Sequence, residues 1–153
     1  MKNFEVTDIK EIEKIIANIK ICHVGFVDGD KPYVIAFNFG YKDRILYLHT
    51  AKTGRKIDIL RKNNNICISM ETESVLNIRQ EQVACSYSMK FKSVVIEGRV
   101  EFIENFDDKV SVMNIIMSNY TDRADFQYNA PAINGVEVMK VNIDKMTARK
   151  RGY

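Results

Sequence analysis

A change of hydrophobic period near residue 20 constrains this chain more than any other feature. Before it, Ile9, Ile12, Ile15, Ile16 and Ile19 recur at helical spacing, and Asp8 with Glu11 forms an acidic capping-box pattern, so a helix is expected over about 8–19. After it the period falls to two. "ICHVGFV" runs into the turn signal "DGD", "PYVIAFNFG" follows as the second arm of a hairpin, and "YKD" turns the chain into "RILYLHT". Three consecutive strands in a meander are therefore expected.

The rest of the chain keeps this β character, with short helical interruptions. "GRKIDILRK" has helical spacing and stops at "NNN", and "ICISMET" is a fourth strand. "ESVLNIRQEQVACSYSM" reads as a strand end followed by loop. "KSVVIEGRVEFIE" is a long β run in which Gly98 allows a bend or bulge. A second helix is expected over about 107–117, with Val110, Met113 and Met117 on its packed face, then loop to Asn134 and a last strand, "VEVMKVNIDKMTA". Such strands, mostly sequential and antiparallel, imply a closed rather than an open sheet, because a lone sheet would leave long unprotected edges. The expectation is a mainly β chain, a six-stranded antiparallel barrel with a few short helices. It is read as a single domain over 1–153, with the barrel over about 21–145 and a short basic C-terminal tail.

At 153 residues, 46% hydrophobic and 28% charged, the chain can bury one core and is too apolar to be disordered. A net charge of +3 with both signs interspersed is too weak for a nucleic-acid partner. The one dense basic run, "ARKRGY", is either a solvated tail or an aid to holding an anion. No segment approaches the roughly eighteen apolar residues of a membrane span, and the N-terminus lacks a leader pattern, so a cytoplasmic protein without a membrane partner is expected. Three cysteines without a C-x-x-C pair indicate neither a disulfide framework nor a metal site. Cys22 and Cys67 read as small core residues.

Chemistry concentrates in "LHTAKTGRKIDIL". Thr50, Thr53 and the backbone N–H groups from Gly54 onward fall where a strand passes into the first turn of a helix, whose leading N–H groups lack intrahelical acceptors. Arg55 and Lys56 add full charges there, the first as a fork and the second as a point charge. This is the outline of a terminal-phosphate site. It is equally the outline of a surface helix bearing solvated cations, and no P-loop or G-x-G-x-x-G pattern accompanies it.

The wider stretch "KPYVIAFNFGYKDRILYLHTAKTGRKIDILRKNNNICISME", with "YSMKFKSVVIEGRVEFIEN" after it, resembles the pyridoxamine 5'-phosphate oxidase-like flavin-binding split barrels. Among them it is similar to the nitroimidazole-resistance proteins, and the resemblance covers residues 22–145. It implies a split barrel that binds FMN, with FAD possible. Tyr33, Val34, Ile35, Ala36, Phe37 and Asn38 match the strand along the flavin ring. His49 and Thr50 match the strand end beside it, Thr53, Gly54, Arg55 and Lys56 fall in the ribityl-phosphate turn, and Ser93 matches a polar position facing the ring. Two subunits share two flavin sites in this family, so a homodimer is implied. A small-molecule substrate is implied too, with NAD(P)H or another reductant as electron donor.

The implied activity is flavin-dependent reduction of small nitroaromatics such as 5-nitroimidazoles, with His49 as the residue near the reactive face. A non-catalytic flavin- or haem-binding, storage or stress protein of the same fold is the alternative. This chain has Ala36 where the resistance proteins commonly have proline, and Phe91 where they have tyrosine. It has no Trp at all, so the substrate site of a true vitamin B6 oxidase is not matched. His23 reads as structural and Cys85 as inert.

Overall fold

The computed structural model describes residues 2–153. The isoleucine stripe forms α1 (Ile9–Ile16), with Ile12, Ile15, Ile16 and the following Ile19 buried. Asp8 caps it by accepting from the Lys10 N–H at 3.3 Å. Glu11 does not complete a reciprocal capping box. Its carboxylate contacts the Lys150 ammonium instead.

The alternating segments become β2 (Cys22–Asp28), β3 (Lys31–Phe37), β4 (Phe39–Lys42), β5 (Ile45–Ala51) and β6 (Asn65–Glu71), with α2 (Arg55–Lys62) between the last two. A further strand, β1 (Asn3–Val6), precedes α1. Then come β7 (Val75–Ile78), a 3-10 turn at Ala84–Ser86, β8 (Tyr87–Ile103), α3 (Phe106–Ser118), α4 (Ala130–Asn134) and β9 (Val136–Arg151). The described residues thus hold nine strands rather than six, in the order β3-β2-β6-β8-β9-β5-β4, with β1 paired to β9 and β7 to β8. The fold is mainly β, an antiparallel split barrel.

The turns explain which hairpins form. Gly29 takes a φ of 65° between β2 and β3, and Asp43 and Arg44 take 52° and 61° between β4 and β5, the left-handed pair of a tight two-residue hairpin. The expected meander does not form, however. β3 and β4 are separated only by Asn38, yet they occupy opposite ends of the sheet path. The single residue carries the chain from one edge to the other, so the sheet curls enough to bring the end of β3 to the start of β4, although the two strands do not pair. At that crossing the Tyr120 hydroxyl accepts from the Phe39 N–H and donates to the Lys20 carbonyl, both at 2.8 Å. The Asn119 amide donates to the carbonyls of Ile19 and Phe39 at 3.2 Å each.

Side chains that alternate inward fill the barrel: Cys22, Val24 and Phe26 from β2, Leu46 and Leu48 from β5, Ile66, Ile68 and Met70 from β6. β8 bends at its glycine as expected, for the register with β9 shifts between Glu97 and Gly98. A Cβ on Gly98 would come within 2.5 Å of the Asn142 carbonyl oxygen, so only glycine lets the strands close there.

A second, smaller core lies outside the barrel, where α3 sets Val112 and Ile116 against Val138. The buried face of α3 is Lys109, Val112 and Ile116, one position away from the expected Val110, Met113 and Met117. Apolar residues run almost all round this helix, so periodicity alone does not select its docked face. Gly40 on β4 does, because it lets the helix backbone approach closely. Lys109 is buried and donates from Nζ to the Val136 carbonyl at 3.1 Å.

The C-terminal basic run is not a tail. Ala148–Arg151 is paired on one side with Val6–Asn3 and on the other with Val94–Phe91. Cys67 is also not a core residue, since it lies exposed on the outer face of β6, whereas Cys22 is buried. The segment expected as a strand end followed by loop begins with β7 (Val75–Ile78) and runs through a short loop into β8, against whose start β7 pairs to form a two-stranded arm.

Candidate functional site

The turn between β5 and α2 lies beside the first hairpin. Arg55 pairs with Asp28, Nη2 to Oδ2 at 2.9 Å and Nε to the same oxygen at 3.0 Å, and its guanidinium stacks over the Tyr33 ring at 4.3 Å. The basic turn and the β3 edge, distant in sequence, therefore meet at Arg55 and Tyr33. Asp28 is the residue of this cluster that sequence reasoning missed. It stood inside the turn signal "DGD", where its chemistry is indistinguishable from that of any turn aspartate.

Gly54 precedes α2 with a φ of 114°, open space where a Cβ would stand, and no side chain capping the helix. The first N–H groups of α2 are thus left to backbone, solvent or a ligand. Thr53 and Gly54 are exposed, Lys56 is half-buried, and Ile57, Ile59 and Leu60 anchor the helix on the barrel. The turn therefore offers an anion backbone donors from the helix start, a cationic fork and a second ammonium, with the Asp28 carboxylate occupying the fork.

β3 ends the sheet path, so one row of its backbone groups is unpaired. Its side chains divide by parity. Tyr33, Ile35 and Phe37 turn toward the barrel core, with Tyr33 and Phe37 against Phe26. Val34, Ala36 and Asn38 are exposed on the outer face. Ser93 shares that outer face, as the register Ala36–His23–Ser69–Val95 across β3, β2, β6 and β8 requires. The structure does not bring Ser93 to the turn, however. It stands opposite Glu71 and Arg149, at the far end of β9 from Val138, the partner of His49.

His49 is half-buried on the side of β5 that faces the α3 core, and its Nδ1 has no hydrogen-bond partner. Burial lowers its pKa from the ordinary value, so the ring is neutral near pH 7. The adjacent Thr50 faces the other way, opposite Glu137. Glu137 is buried, its Oε1 lies 3.9 Å from Nη2 of Arg61, and its Oε2 is unpartnered. His49 shortly precedes Arg55 in the chain, but among the described residues no hydrogen bond or ion pair joins it to the Arg55–Tyr33 cluster.

Burial pushes the pKa of the Cys22 thiol up to about 12, and burial together with the Glu97 carboxylate raises that of Cys67. Among the described residues no group of three or more His, Cys, Asp or Glu side chains could hold a metal, and no helix is long and apolar enough to cross a membrane.

Known proteins place this geometry. The profile of the pyridoxamine 5'-phosphate oxidase family matches residues 8–150. A candidate 5-nitroimidazole antibiotic resistance protein from Bacteroides thetaiotaomicron is 41% identical, with a TM-score of 0.87 over 97% of this chain and 87% of that one. The flavocytochrome Anf3 from Azotobacter vinelandii shares the fold at 20% identity and a TM-score of 0.83, over 97% of this chain and 70% of that one. A FAD- and haem-binding protein from Mycobacterium smegmatis does so at 15% and 0.85, over 97% and 74%. Among curated proteins none matches the sequence. With the family profile spanning both the basic turn and the β3 edge, this chain belongs to the pyridoxamine 5'-phosphate oxidase family and has its flavin-binding split-barrel fold.

Proposed function

We propose that this protein is an FMN-dependent oxidoreductase that reduces small nitroaromatic compounds such as 5-nitroimidazoles. The observation that carries the reading is the convergence of Arg55, Tyr33 and the uncapped start of α2 on one cradle, in a chain 41% identical to a candidate nitroimidazole resistance protein. In this reading Thr53, Gly54, Arg55 and Lys56 hold the ribityl phosphate. The unpaired backbone edge of β3 aligns the ring. FMN, when bound, supplies the electron transfer, and the chain's own residues bind it, orient it and exclude water. His49, neutral at its strand end, serves as hydrogen-bond donor or acceptor near the ring rather than as an acid.

A homodimer completes the proposed site. The outer face of β3, β2, β6 and β8 leaves Val27, Val34 and Val95 exposed, at 44%, 58% and 36%. That face also carries Ser93, which a second copy would bring to the flavin that its own chain cannot reach. NAD(P)H is the proposed electron donor, and the compartment is proposed to be the cytoplasm.

The test begins with the absorption spectrum and mass of whatever copurifies with the protein. Arg55→Ala/Lys56→Ala should lose FMN and keep its far-UV circular dichroism, and full flavin content in that variant would refute the phosphate assignment. Anaerobic NAD(P)H should bleach the flavin, and a 5-nitroimidazole should restore its colour. A reduced flavin that no nitroaromatic reoxidises would favour the alternative, a flavin- or haem-binding protein without this turnover.

A further inference from the structure

Among the described residues two charged side chains are buried, Lys109 and Glu137. Lys109 donates to the Val136 carbonyl at 3.1 Å. Glu137 is 7% exposed and has no comparable partner: its Oε2 is buried without a hydrogen bond, and its Oε1 lies 3.9 Å from Nη2 of Arg61, too far for one. It stands on the inward row of β9 with Met139 and Val141, beside the last turn of α2, which carries Arg61. A carboxylate buried with so incomplete a set of partners destabilises a fold, and a well-packed neutral side chain of similar size would do better. Stability therefore does not account for Glu137.

Its position does. Glu137 is opposite Thr50 in the β5–β9 register and faces Arg61 on α2. Thr50 and Arg61 flank the segment that holds Thr53, Gly54, Arg55 and Lys56. One side chain of the sheet thus stands against both the strand that leads into the basic turn and the helix that leads out of it. The two ends of that helix are tied differently. At its start Arg55 is held on Asp28 by Nε and Nη2, at 3.0 and 2.9 Å. At its end Arg61 approaches Glu137 by one edge only and lies over the Phe102 ring at 5.7 Å. No other ion pair among the described residues involves α2. An anion that takes the Arg55 fork from Asp28 leaves Glu137 as the remaining carboxylate tether of the helix.

We propose that Glu137 is a positioning residue of the phosphate cradle, holding α2 against the end of β5 through Arg61. It acts on the phosphate end of a flavin and not on the ring, which the β3 edge aligns. The role rests on the flavin reading.

The test compares FMN with riboflavin, which has the same ring and ribityl chain without the phosphate, in fluorescence-quenching titrations of the parent and of Glu137→Gln. Glutamine keeps the size and removes the charge. FMN affinity should fall about threefold to tenfold, riboflavin affinity should stay the same, and the thermal midpoint of the flavin-free protein should not drop. Arg61→Met changes a side chain that is 63% exposed, so it keeps the fold; it should weaken FMN equally, and the double variant should lose no more than either single one. Unchanged FMN affinity in Glu137→Gln overturns the proposal and leaves the flavin reading intact. Equal weakening of FMN and riboflavin overturns it as well, by reducing Glu137 to general support of the fold, and additive losses show that it does not act through Arg61. A parent that binds neither flavin overturns the flavin reading itself, and this role with it.

Discussion

Replacing Gly40 by alanine tests how the outer core is assembled. Gly40 is buried in β4 opposite Tyr47, and α3 crosses directly above it. An added Cβ would lie 2.8 Å from the Ile116 nitrogen, 2.9 Å from its Cα and 3.0 Å from the Ile115 carbonyl carbon. All three are backbone atoms of the helix, so no side chain can rotate aside. The helix must retreat by roughly 0.5–1 Å to restore ordinary contact, which forfeits a quarter to a half of the dispersion energy at the interface of Val112, Ile116 and Val138. Overpacking of this kind costs about 2–3 kcal/mol. Alanine also reduces the entropy of the unfolded chain, and Gly40 is not among the glycines with positive φ, so about 0.4–1 kcal/mol returns. The net loss is about 1–2.5 kcal/mol, a fall of roughly 2–10 °C in thermal midpoint for a chain of this length. Far-UV circular dichroism at fixed protein concentration measures it. A midpoint equal to or above the parent's would refute the claim that α3 docks by backbone approach at this glycine.

Two further outcomes follow from the candidate site. Asp28→Asn frees the Arg55 guanidinium and removes a carboxylate from the phosphate cradle, so FMN affinity should rise several-fold in a fluorescence-quenching titration; a fall would mean that Asp28 positions the arginine instead of competing for it. Burial holds the folded His49 pKa below its unfolded value, so its contribution to stability is complete above about pH 6.5 and is lost as pH falls through the folded value. Urea midpoints of the parent should therefore drop more steeply on acidification than those of His49→Gln, and parallel curves would show that His49 does not titrate in a buried place.

The period change near residue 20, the glycine bend at Gly98 and the basic turn were all readable because each depends on local chemistry: side-chain alternation, absence of a Cβ, and charge next to a helix start. What sequence could not supply was register. The strand Asn3–Val6 is four residues of mixed polarity, and only its pairing with Ala148–Arg151 makes it a strand and the basic run an element of the sheet. The short arm at Val75–Ile78 exposes hydrophobic residues on both faces and so has no alternating pattern to read. The same limit applies to the candidate site. Arg55 and Lys56 announce an anion by themselves, whereas Asp28 joins them only because the first hairpin folds beside α2, and the separation of Ser93 from His49 follows from the length of β9.

The crossing at Asn38 bears on how the chain folds as well as on where it ends up. The β2–β3 and β4–β5 hairpins each close within a few residues, and such hairpins form on the microsecond scale. They follow one another so closely that the simplest local continuation is to lie side by side. In the native sheet they are its two opposite edges, and β5 instead waits for β9, with Ile45 against Asn142. Partners that remote in sequence raise the contact order and slow productive folding. A meander in which β4 added to β3 would have to come apart before the native edges could form, and the Tyr120 and Asn119 contacts to Phe39 hold the crossing in its native arrangement.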